Sequence, residues 1–180
     1  MRTKPVLIAL VLAALALASI ATVAFGDERN RARATLSGYE ETPQSLSSPG
    51  RGEFRATIDD ENQVINYSLT IGGLPTTILF AHIHFGQRAT SGGVSAFLCG
   101  GGSKPAPCPA NGTVTGTIAP ADVVGPTGQG IAAGEWAELV AALRAGFTYA
   151  NVHTSAFPGG EIRGQINDGD RGRGNGGDSD

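Results

Sequence analysis

Residues 147–166 read FTYANVHTSAFPGGEIRGQI, and their pattern decides the fold class. Tyr149, Asn151 and His153 alternate with Ala150, Val152 and Thr154, the period of a strand. Phe157-Pro158-Gly159-Gly160 then supplies turn chemistry, with one backbone angle fixed by proline and positive angles open to glycine. Glu161, Arg163 and Gln165 next alternate with Ile162, Gly164 and Ile166, so a second strand leaves the turn. The stretch is a hairpin with a long loop, carrying one histidine before the turn and an acid-base pair after it.

The same period recurs upstream. GEFRATI (52–58) puts Phe54, Ala56 and Ile58 on one face, and Ile65, Tyr67, Leu69 and Ile71 repeat the pattern after an acidic turn at 59–62. Further strands are expected at 33–38, 78–85, 94–98 and 112–118, between Gly/Pro-rich loops. One segment has the other period: in GEWAELVAALR (134–144), Trp136, Leu139, Val140 and Leu143 fall at helical spacing, with Gly146 as a stop signal. This amphipathic helix, about residues 134–145, is expected to cover an open end or face of the sheets. The fold class is mainly β, an antiparallel sandwich or barrel of about eight short strands. Three segments share the form Gly-x-apolar-x-small-x-Ile (52–58, 112–118 and 160–166), which either marks close backbone approach or is generic strand grammar.

Arg2 and Lys4 precede an apolar run to Phe25 with small residues at Thr22 and Ala24. That describes a secretory signal over residues 1–24, with an uncleaved membrane anchor as the alternative. A linker at 25–32, a β domain at 33–167 and a disordered Gly/Asp-rich tail at 168–180 complete the expected organisation. The chain carries 13 basic and 16 acidic residues; loss of Arg2 and Lys4 with the leader takes the net charge from −3 to −5. No basic patch remains to hold nucleic acid. In an exported chain, Cys99 and Cys108, close in sequence around a Gly/Pro/Ser loop, are expected to form a disulfide.

The pieces LSGYEETP (36–43), GEF (52–54), AHIHFG (81–86), AGFTYANVHT (145–154) and PGGEIRGQ (158–165) resemble the CHRD domain. This module is named after the extracellular signalling antagonist chordin and is also found in exported microbial proteins. The resemblance covers roughly residues 33–167 and implies an exported, mainly β domain. It does not transfer growth-factor antagonism, which other modules of chordin largely carry.

All three histidines lie in the two motif strands. His82 and His84, two apart, project from one face with Cα atoms about 6.5–7 Å apart. If the strand of His153 pairs nearby, three imidazoles can share one ion, and a single Cu or Zn ion is the candidate cofactor. The competing expectation is that all three are structural, each nitrogen meeting a carbonyl, a Thr hydroxyl or Glu161. His-x-His before an aromatic residue and Gly is also similar to the copper-ligand strand of copper-zinc superoxide dismutases. A dinuclear site of that kind needs more than the three histidines present. Glu161 and Arg163 are expected to pair across strands with Arg55 or Glu53, and Glu40-Glu41 to form a solvated turn. No nucleophile elbow, phosphate loop or dinucleotide fingerprint occurs. The chain therefore reads as a non-enzymatic exported module for an extracellular protein or surface polymer, with a mononuclear metal-binding protein as the alternative. It meets a membrane only if the leader stays uncleaved.

Overall fold

The computed structural model describes residues 29–167. The leader at 1–24, the first half of the linker (25–28) and the tail at 168–180 lie outside the described residues. Eight strands form one antiparallel sheet: β1 (Arg31–Ser37), β2 (Arg51–Asp59), β3 (Val64–Gly72), β4 (Ile78–Phe85), β5 (Gly93–Cys99), β6 (Gly112–Ile118), β7 (Thr148–Thr154) and β8 (Ile162–Gln165). Their spatial order is β5-β4-β7-β8-β1-β2-β3-β6. The sheet curls into a nearly closed barrel, with Tyr67 Oη of β3 donating to Leu98 O of β5 at 2.6 Å across the gap between the edges. Of the two expected architectures, the barrel-like one is the one formed.

Alternation explains why the sheet closes on an apolar interior. Phe54, Ile58, Ile65, Leu69 and Ile71 from the β2–β3 hairpin meet Leu36, Ile83, Leu98, Ile118 and Ile162 in one core. The hairpin register runs without interruption from Arg51↔Gly72 to Asp59↔Val64. Burial of such side chains contributes about 1.5–3 kcal/mol each. The helix α1 (Trp136–Arg144) adds Trp136, Leu139, Val140 and Leu143 to the same core, as its spacing predicts. It stops at Gly146, whose φ of 69° suits glycine, and the N–H groups of Gly146 and Phe147 return to Leu143 O and Ala142 O. β7 follows at once.

The shared small position of the three related strands has a physical reason in two of them. A Cβ at Gly164 would lie 2.3 Å from Thr35 O of β1, and one at Gly116 would lie 2.5 Å from Tyr67 Oη. A neighbouring backbone at Gly164, and the Tyr67 ring at Gly116, therefore stand where a side chain would begin. Cys99 and Cys108 are joined in a disulfide, as expected.

β8 has four residues, yet it links β7 to β1 and so joins two halves of the sheet. β7 and β8 are buried on both faces. One face of each packs on the apolar core. The other is polar and lies beneath the connections at 38–50, 86–92 and 155–160, whose contacts are described below.

A buried cluster of three histidines

β4 and β7 pair antiparallel, with His82 opposite Asn151, His84 opposite Tyr149 and Phe80 opposite His153. This register puts His153 on the face that His82 and His84 share by their spacing. All three are buried, and one ligating atom from each lies within 4.8 Å of the others. β4 pairs irregularly with β5 at Ala81/His82 and at Ile83/His84. Such irregularities re-aim side chains on a strand, and these two flank the histidines.

Hydrogen bonds fix which nitrogens are available. His84 Nδ1 lies 2.9 Å from Gly92 O, and His153 Nδ1 lies 2.9 Å from Pro158 O. A carbonyl oxygen only accepts, so both Nδ1 atoms carry hydrogen and both Nε2 atoms present lone pairs. His82 Nδ1 faces His153 Nε2 at 3.3 Å. His82 Nε2 and His84 Nε2 are buried without a protein partner. If His82 donates from Nδ1, its own Nε2 becomes a second buried bare lone pair. If it is protonated at Nε2 instead, two lone pairs face each other at 3.3 Å. In either tautomer, the protein alone leaves the cluster incompletely satisfied. A second ring nitrogen held by a backbone carbonyl is also how ligating histidines are usually oriented.

The cluster is walled by aromatic rings. Phe80 stacks on His82 with centroids 4.8 Å apart, and Phe97 meets His82 edge-on at 4.4 Å. Tyr149 stacks parallel on His84 at 4.8 Å. Burial, and then neighbouring imidazoles, push His82 down to about 3. Burial likewise pushes His84 down to about 4, against the Gly92 hydrogen bond, and lowers His153. The rings are neutral, the form that binds metal.

Beside them lies a polar group that the sequence did not reveal. Arg163, only 2% exposed, places its guanidinium carbon 3.5 Å from the centre of the Tyr149 ring. It donates to Thr42 Oγ1, Thr90 O and Gln87 O. Glu161 accepts from Ser48 Oγ and Thr154 Oγ1. The expected pairing of Glu161 and Arg163 with Arg55 or Glu53 is thus incorrect: Arg55 pairs with Glu53 on the exposed face of β2, while Glu161 and Arg163 face buried loops. The solvated turn is half wrong. Glu40 pairs at the surface with Arg88, but Glu41 is 7% exposed, accepts from Asn151 Nδ2, and is pushed by burial up to about 7. Glu161 does not contact the histidines as a hydrogen-bond acceptor; backbone carbonyls take that role.

An eight-stranded antiparallel sheet curled into a nearly closed barrel, with one helix, makes this a small, mainly β domain. The family model of the CHRD domain matches residues 32–166. The chain belongs to the CHRD domain family. No curated protein and no solved structure matches the chain.

Proposed function

We propose that this is an exported, non-enzymatic CHRD domain that holds a single Cu or Zn ion on His82, His84 and His153. The observation that carries this reading is the pinning of two Nδ1–H groups on Gly92 O and Pro158 O, which leaves their Nε2 atoms facing a cluster that His82 completes within 4.8 Å. Imidazole donors suit copper and zinc. Export is supported by the basic-apolar-small leader and is compatible with the disulfide. A non-catalytic role is supported by the use of Glu41 and Glu161 as internal hydrogen-bond acceptors.

The test is elemental analysis of protein purified without chelator, with thermal melts in added Cu, Zn and EDTA. One equivalent of metal, lost in His84→Ala, is expected. At a free metal concentration about a thousandfold above Kd, binding adds about 4 kcal/mol and raises the melting temperature by roughly 10 °C or more. Unchanged metal content and melting temperature in His84→Ala would remove the site.

A second role, docking an extracellular protein or surface polymer, is favoured by the outer face of β2, β3 and β6. Exposed Thr57, Asn66 and Thr117 align there, as do Thr70 and Thr113, whose hydroxyls lie 2.8 Å apart. A pull-down from the native envelope that enriches no partner counts against it.

A further inference from the structure

The cluster also indicates which ion it takes. We infer, resting on the three-histidine reading above, that the site selects monovalent copper over divalent zinc or copper.

Four observations converge on this. The donor set is three neutral imidazoles, and among the described residues the cluster includes no carboxylate or thiolate. A divalent ion held there keeps its full charge in a desolvated site. The Born cost of burying an ion rises as the square of its charge, so a monovalent ion carries about a quarter of it. The flanks are the rings of Phe80 and Phe97, which carry no polar atom, and of Tyr149, whose hydroxyl is engaged with the Gly92 backbone. Zinc usually completes a fourth position, with water where the protein gives three ligands. Three nitrogens among aromatic rings suit an ion content with three.

The third observation is a fixed cation. Tyr149 sits on β7 between β4 and β8, stacked with His84 and in contact with the guanidinium of Arg163. Positive charge is thus built in one ring away from a ligand, and its repulsion for a divalent ion is twice that for a monovalent one. The fourth concerns the nearest acids. Glu41 is engaged by Asn151, and Glu161 by Ser48 and Thr154. Neither hydrogen-bonds to any of the three rings, whereas Arg163 lies against the ring that stacks on His84.

The experiment is a competition on the full chain, purified without chelator and kept anaerobic. Cu(I) is supplied as its bicinchoninate complex and loss of the complex colour is followed; Zn(II) and Cu(II) are titrated separately against chromophoric indicators. Withdrawal of one equivalent of Cu(I), not displaced by a roughly tenfold excess of Zn(II), is the expected result, with His84→Ala withdrawing none. Zinc that displaces Cu(I), or is held more tightly in its own titration, would overturn the monovalent preference and leave the three-histidine site standing. If no ion binds, the site itself is refuted and this inference with it.

Discussion

His82 and His153, 71 positions apart in sequence, bring Nδ1 and Nε2 to 3.3 Å across the β4–β7 pair. They are diagonal neighbours, because His82 stands opposite Asn151 and His153 opposite Phe80. Two nitrogens bound to one ion at 2.0–2.1 Å lie about 3.3–3.6 Å apart, from tetrahedral to three-coordinate geometry, so this spacing is close to that of a shared cation. His84 completes the set from the same strand as His82, held from behind by a backbone carbonyl.

The metal-free protein should lose stability in mild acid. The unfolded histidines titrate near their ordinary value of 6.5, whereas the fold holds His82 down to about 3 and His84 down to about 4. Below pH 6.5 the unfolded chain binds protons that the folded chain refuses, so stability falls as pH drops toward 4, by roughly 2 kcal/mol per histidine by pH 5. Urea midpoints of EDTA-treated protein at about pH 5 and 7.5 check this. A midpoint at pH 5 equal to or above that at pH 7.5 contradicts the burial of neutral rings.

Glu41 works in the opposite direction. Its folded carboxyl keeps a proton up to about 7, against an ordinary 4.5, so the stability it contributes is full below 4.5 and lost as pH rises through 7. Glu41→Gln should therefore raise stability at pH 8 by about 2–3 kcal/mol and change little at pH 4. The glutamine oxygen can still accept from Asn151 Nδ2. A variant less stable than wild type at pH 8 would mean that Arg163 holds the carboxylate in its charged form.

Arg163→Lys should behave as a severe change despite keeping the charge. The guanidinium reaches Thr42 Oγ1 at 2.7 Å, Thr90 O at 2.8 Å and Gln87 O at 3.1 Å while lying on Tyr149. An ammonium cannot reproduce that fork or the stacking. The expected loss is about 2–4 kcal/mol, with faster proteolytic nicking within residues 86–92. Wild-type resistance to protease in the lysine variant would show that the loop is secured elsewhere.

Replacing Cys99 and Cys108 together by serine should cost about 2–3 kcal/mol, the loop-closure value for a loop of about ten residues. Melting temperature should fall by roughly 10 °C, and reductant should lower the wild type to the same level. A wild type indifferent to reductant would point to stabilisation by the packed loop rather than by the bond. That loop does pack: Gly101 and Gly102 lie against the ring of Phe97, which in turn meets His82.

Local pattern carried much of this fold into the sequence. The β2–β3 hairpin was legible because Phe54, Ile58, Ile65 and Leu69 alternate with exposed residues, and α1 because Trp136, Leu139, Val140 and Leu143 share a stripe. The same-face placement of His82 and His84 followed from strand period alone. The roofed polar face did not. Glu41, Glu161 and Arg163 have the residue types of a solvated surface, and only the loops at 38–50 and 86–92 folding over β7 and β8 bury them. Period predicts which side of a strand a residue faces, not what later covers it. The carbonyls of Gly92 and Pro158 were equally invisible, since every residue has one.

The four-residue β8 sets a timetable. The sheet consists of β5-β4-β7 on one side and β1-β2-β3-β6 on the other, and nothing but the strand at Ile162–Gln165 lies between them. A nascent chain can zip the β2–β3 hairpin early, but the strand ladder between the two sides closes only when β8 has emerged. Arg163, on that final strand, is also what ties down the roof beside His84. The face that carries the three histidines is therefore roofed only after β8 has paired with β7 and β1.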